Sequence, residues 1–211
     1  MADFSLYLVT DRGLSLGRST ADIVRAAVAG GATCVQLREK SCGTREFMAE
    51  ARAVRAILAG TGVPLVINDR VDVALAVGAD GVHLGQSDML VADARRLTGP
   101  DMLIGVSAEC VADAVRAEAE GADYVGVSPV FSTPTKTDTA PALGLAGVAA
   151  IRAAVSLPLV GIGGIGPANA ESVIRAGCDG VAVVSAIVSA ADPEKAAAHL
   201  KTIILRARKA S

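Results

Sequence analysis

Eight short apolar runs punctuate the chain: Leu6–Val9, Cys34–Leu37, Pro64–Ile67, Gly81–Leu84, Met102–Val106, Tyr124–Val127, Pro158–Ile162 and Gly180–Val184. Most are rich in Val and Ile and too short for helices, so they read as buried strands. Between them lie Ala-rich segments with Arg, Glu and Asp at helical spacing, including Ala21–Ala29, Thr44–Leu58 and Ala146–Ala154. Strands alternating with helices predict parallel pairing and a sheet covered by helices.

A repeat runs through this pattern: Gly31-Ala-Thr-Cys-Val, Gly78-Ala-Asp-Gly-Val, Gly121-Ala-Asp-Tyr-Val and Gly177-Cys-Asp-Gly-Val. Each glycine suits the residue just past a helix end, and each introduces an even-numbered run. The odd runs open differently, as Pro64-Leu-Val, Asp101-Met-Leu and Pro158-Leu-Val. Two kinds of unit alternating eight times predict a (β/α)8 TIM barrel, one domain over residues 1–211. A doubly wound open sheet is the alternative.

Composition narrows the class. Hydrophobic residues make up 52% of the 211, but aromatics only 2%, so Ala, Val, Leu and Ile must build the core. The net charge of −2 gives no electrostatic footprint for nucleic acid. Cys34, Cys42, Cys110 and Cys178 show no C-x-x-C spacing and read as free thiols in a reducing cytoplasm. The start, Met1-Ala-Asp-Phe-Ser, lacks the basic and apolar regions of a signal peptide. The uncharged stretch Ala153–Ala170 carries two prolines, an asparagine and four glycines, so it reads as strand, loop and helix start rather than a membrane span. A homo-oligomer is compatible with the sequence, which does not fix the oligomeric state.

In a parallel barrel, chemistry gathers at the carboxyl ends of the strands. The second run ends Gln36-Leu-Arg-Glu-Lys40, and alternation places Gln36, Arg38 and Lys40 on one face. Two cations facing inward call for an anion, or for an ion pair with Glu39 or a neighbouring carboxylate. Asp69 and Asp88 follow the third and fourth runs at the same height. Such a pair suits Mg²⁺, which takes one or two carboxylates with phosphate oxygens and water; Arg70 could instead pair with either aspartate. The fifth run ends at Ser107. The sixth opens onto Ser128–Thr139, a loop holding four Thr, two Ser, two Pro and Lys136. The seventh ends in Gly161-Ile-Gly-Gly-Ile-Gly166 before Pro167, expected at the first position of a helix, and the eighth ends at Ser185. Glycine backbone there suits a phosphate. His83 lies inside the fourth run and reads as structural; His199 reads as a surface residue. With two histidines in the chain, imidazole acid–base chemistry is not favoured. The mouth therefore has one half charged enough for a pyrophosphate and another suited to a monophosphate. Two phosphorylated substrates joined with loss of pyrophosphate is the economical reading.

These motifs together resemble thiamine-phosphate synthases over nearly the whole chain. They are Leu6-Tyr-Leu-Val-Thr-Asp11, Gln36–Lys40, Ile67-Asn-Asp-Arg-Val-Asp72, Gly81-Val-His-Leu-Gly-Gln-Ser-Asp88, Gly105-Val-Ser107, Pro129–Lys136, Ile162-Gly-Gly-Ile165 and Val183–Ile187. The resemblance implies coupling of 4-amino-5-hydroxymethyl-2-methylpyrimidine diphosphate to 4-methyl-5-(2-phosphooxyethyl)thiazole, giving thiamine phosphate and pyrophosphate. It implies that Gln36, Leu37, Arg38, Glu39, Lys40, Asn68, Ser107 and Lys136 hold the diphosphate substrate, with Arg38, Lys40, Ser107 and Lys136 serving catalysis. Asp69 and Asp88 would bind Mg²⁺. Thr133, Pro134, Thr135, Gly164, Val184 and Ser185 would hold the thiazole phosphate. Ser132 stands where many members have Pro. Three rivals share parts of this pattern. A thiazole tautomerase lacks the full diphosphate half. A sugar-phosphate isomerase or epimerase wants metal-ligating histidines or an acid–base pair. A catalytically silent ligand-binding protein of thiamine metabolism would be expected to lose the cationic set.

Overall fold

A computed structural model describes residues 2–133 and 141–209. The eight strands are β1 Leu6–Val9, β2 Cys34–Leu37, β3 Leu65–Asn68, β4 Gly81–Leu84, β5 Leu103–Ala108, β6 Tyr124–Val127, β7 Leu159–Gly161 and β8 Gly180–Val183. They pair in parallel and in sequence order, and β8 closes onto β1. Outside them lie α1 Thr20–Ala29, α2 Thr44–Leu58, α3 Val71–Val77, α4 Val91–Thr98, α5 Val111–Ala119, α6 Gly144–Ala154, α7 Ala170–Arg175, α8 Ser185–Val188 and α9 Pro193–Lys209. The (β/α)8 barrel expected from the alternation is thus the observed architecture. Pro167 differs from expectation: it sits in the turn ahead of α7, whose cap is Asn169. Among the described residues no helix is long and apolar enough to cross a membrane.

Strand alternation divides the core in two. One set, including Leu6, Leu8, Val35, Leu37, Ile67, Val82 and Val125, faces the helices. The other, including Tyr7, Val9, Cys34, Val66, Tyr124, Val160 and Ala182, fills the barrel. The few aromatics are concentrated inside it, where the Phe4 and Tyr124 rings lie 4.4 Å apart. Gly105 admits the Tyr124 ring, because a Cβ there would lie 2.0 Å from its Cζ.

The repeat has a physical cause beyond the helix ends. Its glycines are all left-handed, at φ +96° (Gly31), +65° (Gly78), +87° (Gly121) and +117° (Gly177). Two residues on, each side chain grips the start of the preceding odd strand. Thr33 Oγ1 accepts from Leu6 N at 3.0 Å, Asp80 Oδ2 from Leu65 N at 2.8 Å, Asp123 Oδ2 from Ile104 N at 2.7 Å and Asp179 Oδ2 from Leu159 N at 2.8 Å. The gripping residue's own N–H donates to the carbonyl of the same strand residue, at 2.8–2.9 Å. Four two-point clamps therefore hold the amino-terminal end of the barrel, opposite the mouth. Removing one leaves a strand N–H without its acceptor, at about 1–3 kcal/mol. Asp80→Ala should lower the urea midpoint by a corresponding amount without changing the slope; an unchanged midpoint would contradict the clamp.

Candidate active site

The carboxyl ends of the strands surround a cavity of about 800 Å³. It brings together Gln36, Arg38, Lys40, Asn68, Asp69, Asp88, Ser107, Thr133, Gly164, Val184 and Ser185. Two neighbours in the β2 motif turn away. Leu37 is buried against the helices. Glu39 is nearly buried outside the mouth, 3.4 Å from Arg12, which also binds Glu46 and Glu50 of α2. Burial, then repulsion from Glu50, raises the Glu39 pKa, and Arg12 opposes this. Leu37 and Glu39 thus anchor the β2 exit from behind while Arg38 and Lys40 face forward. Pro134, Thr135 and Lys136 lie outside the described residues.

The charged half of the mouth is held from below. Arg38 donates its backbone N–H to Thr10 Oγ1 at 3.0 Å and its guanidinium to Asp11 at 3.2 Å. Lys40 Nζ lies 2.5 Å from Asp69 Oδ2. Asp69 occupies the left-handed region at φ +62°, unusual for a residue with a Cβ. Its N–H donates to the His83 carbonyl at 2.8 Å, which fixes the turn. This backbone carries the Asp69 carboxyl to Asp88, whose own Oδ2 accepts from Gly85 N at 2.7 Å. Burial raises the Asp88 pKa, and contact with Asp69 raises it further; Lys40 and the Gly85 N–H oppose the shift. Arg70 is committed elsewhere, to Asp72 at 2.6 Å, so it does not neutralise the pair.

Among the described residues no cluster of three or more His, Cys, Asp or Glu forms a complete metal cage. Two touching carboxylates, one of them pushed toward its protonated form by burial and by the other, still suit a cation that keeps water and takes phosphate oxygens. The residues fit Mg²⁺ in that mode.

The second half is built from backbone. Val130 N donates to Ile162 O at 2.8 Å and Phe131 N to Gly163 O at 3.1 Å, strapping the β6 exit onto the glycine turn. Gly163 and Gly164 have φ +102° and +62°. A Cβ on either would come within 2.7 Å of Pro129 or of the Ser132 carbonyl, so only glycine lets the two segments meet. Asn169 braces the turn, accepting from Gly166 N and donating to Gly164 O, both at 2.9 Å. Ser185 opens α8 beside it.

Four residues to which the sequence assigned no chemistry also line the mouth: Tyr7, Tyr124, Gln86 and Glu109. His83, expected to be structural, lies there too, bonded to Ser107 Oγ at 3.0 Å. One signal could have found the tyrosines. They are the only two in the chain, both fall in strands, and a buried phenol needs a partner.

The profile of the family described as thiamine monophosphate synthase matches residues 6–187. A thiamine-phosphate synthase of Albidiferax ferrireducens is 57% identical over 94% of this chain and 91% of its own length. The chain belongs to the thiamine monophosphate synthase family. A second member, from Chloroflexus aurantiacus, is 55% identical over 97% of this chain and 94% of its own. The solved thiamine phosphate pyrophosphorylase of Pyrococcus furiosus superposes with a TM-score of 0.90 at 39% identity, covering 98% of each chain. Family membership makes the chain a transferase acting on small molecules, and it excludes the sugar-phosphate isomerase reading.

Asp69 departs from ordinary backbone geometry, and such departures collect at functional sites. Asp69→Gly removes both the left-handed penalty and the repulsion from Asp88. It should raise the unfolding free energy by about 0.5–1 kcal/mol. A lower stability in urea would show that the turn is not strained.

Proposed function

We propose that the chain joins 4-amino-5-hydroxymethyl-2-methylpyrimidine diphosphate to 4-methyl-5-(2-phosphooxyethyl)thiazole, releasing pyrophosphate and thiamine phosphate. What supports this reading is one mouth that joins a half rich in cations and carboxylates to a half built of glycine backbone, in a chain that covers more than nine-tenths of the relatives it matches. Arg38, Lys40, Asn68 and the Asp69–Asp88 pair line one side, and the Gly163–Gly164 turn and Ser185 the other. The intact diphosphate side also weighs against a tautomerase or a silent binding protein.

Each residue has a part in this chemistry. Arg38, Lys40, Lys136 and Ser107 would meet the charge of the departing pyrophosphate, and Gln36 and Asn68 would hold the pyrimidine end. Leu37 and Glu39 would contribute through backbone, since their side chains face away. Asp69 and Asp88 would hold Mg²⁺, which when bound supplies a divalent charge for phosphate oxygens. Thr133, Pro134, Thr135, Gly164, Val184 and Ser185 would hold the thiazole phosphate. The pyrimidine–oxygen bond breaks first, and the cation left behind is captured by the thiazole nitrogen. That nitrogen already carries a lone pair, so no strong base is required. The walls of the mouth, with Val9, Val160, Ile162 and Val184 among them, would exclude the water that competes for the cation. We further propose that one (β/α)8 domain over residues 1–211 suffices. Free Cys34, Cys42, Cys110 and Cys178 suit a reducing cytoplasm.

Purified protein with Mg²⁺ and the two substrates should form thiamine phosphate and pyrophosphate in equal amounts; no product would end this reading. Asp69→Ala and Lys136→Ala should each lower kcat by about 10²-fold or more while the far-ultraviolet circular dichroism is retained. The metal assignment has its own signature. Asp88 must be ionised to bind a cation, and its pKa lies above the ordinary carboxylate value. Calorimetry should therefore show Mg²⁺ affinity falling as pH is lowered toward that raised value. Asp88→Asn should abolish both the binding and its pH dependence; unchanged Mg²⁺ binding by this variant would exclude Asp88 as a ligand.

A further inference from the structure

Beneath the mouth, side chains from five different strands form one unbroken row of hydrogen bonds. Gln36 Nε2 (β2) donates to Tyr7 Oη (β1) at 3.1 Å. Tyr7 Oη lies 2.9 Å from Tyr124 Oη (β6), which lies 3.0 Å from His83 Nδ1 (β4). His83 Nε2 lies 3.0 Å from Ser107 Oγ (β5), and Ser107 lines the mouth. Gln36, Tyr7 and Tyr124 are buried. Satisfying two buried phenols could have been done more simply, by a carbonyl or by each other. Instead two strands give up side chains to seat the row. Gly105 makes room for the Tyr124 ring, and a Cβ on Gly126 would lie 3.0 Å from His83 Cε1.

The row has a direction. Tyr7 Oη accepts from the Gln36 amide, so its own proton goes onward. Cys34 Sγ beside it is a weak acceptor, whereas Tyr124 Oη is a good one. Burial holds both phenols well above the usual tyrosine range, so each keeps one proton to give. Tyr124 then donates to His83 Nδ1. A neutral imidazole that accepts at Nδ1 carries its proton on Nε2. That proton goes to Ser107 Oγ, and the serine's own O–H is left to point into the mouth.

We propose that Tyr124 and His83 are positioning residues that fix Ser107 as a donor aimed at the pyrimidine diphosphate. A free hydroxyl samples several rotamers and both hydrogen-bond roles. One that already accepts from below, at one of its two lone pairs, keeps its O–H for the mouth and reorganises less when charge develops above it. No proton crosses the row during turnover; its work is orientation. The identity of the acceptor rests on the proposed synthase activity, but the arrangement of the row does not.

The test has two arms. The chain holds only two histidines, and His199 lies exposed on α9. ¹⁵N NMR of the imidazoles at neutral pH therefore reads the His83 tautomer in the native protein, whether or not it turns over. The expected form has the proton on Nε2 alone. A proton on Nδ1 would overturn the proposal. In the second arm, Tyr124→Phe keeps the ring and removes the donor. It should mix the His83 tautomers and lower kcat about tenfold, the scale of one misplaced hydrogen bond, with little change in KM. In a Ser107→Ala background the same change should cost nothing further, since the group it positions is gone. An equal loss in both backgrounds would show that Tyr124 acts by some route other than Ser107. Tyr7→Phe, one step further back, should reproduce the tautomer mixing if Tyr124→Phe fails to fold. If native protein makes no thiamine phosphate, the function reading fails while the tautomer still decides the row.

Discussion

A closed eight-stranded barrel has a narrow interior that its own strands must fill, and in this chain that filling places the side chains beneath the mouth. Every second residue of each strand points inward, and together these side chains must occupy a narrow cylinder without voids. The chain meets this with an uneven set. Tyr7, Tyr124 and Phe4 supply bulk beside the smaller Cys34 and Ala182, while Gly105 makes way for the Tyr124 ring and Gly126 for His83. Because the bulk comes as tyrosine, the interior carries hydroxyls that need partners. Gln36 and His83 answer that need, and the polar row they complete becomes the floor of the mouth. Packing and chemistry are thus joined at the same residues.

Above that floor, the two ends of the barrel are treated differently. The amino-terminal end is locked by Thr33, Asp80, Asp123 and Asp179, each gripping a strand by side chain and backbone. The three carboxylates among them accept from backbone N–H groups, two of them also pairing with Arg95 and Arg152, and none lines the cavity. At the other end Asp69 and Asp88 face each other, and the held geometry includes a left-handed Asp69. A chain that needed only stability would place neither aspartate there. The local conflict is what a divalent cation and a diphosphate would resolve, and Lys40 relieves part of it meanwhile.

Much of this was legible in the residues. Eight apolar runs and the alternating repeat point directly to the barrel, because period and punctuation are local properties. The inward grouping of Gln36, Arg38 and Lys40 follows from strand alternation alone. Glu39 shows the same rule at work in reverse, since its odd position sends it outward to Arg12. The role of the repeat aspartates was not legible: a clamp onto a strand 15 to 20 residues upstream depends on register. Nor was the floor. Tyr7, Tyr124 and His83 are scattered along the sequence and meet only when β1, β4 and β6 close around one axis. His83 looks structural by its place within a strand, and the structure gives it a mouth-lining serine as partner.

If the chain is a synthase, both halves of the mouth must act on one pair of substrates. A crystal grown with thiamine phosphate, pyrophosphate and Mg²⁺ tests this most directly. Pyrophosphate should lie against Arg38 and Lys40, the metal beside Asp69 and Asp88, and the product's phosphate on the Gly163–Gly164 turn beside Ser185. Pyrophosphate bound away from the aspartates, or a product phosphate seated anywhere but the glycine turn, would contradict it.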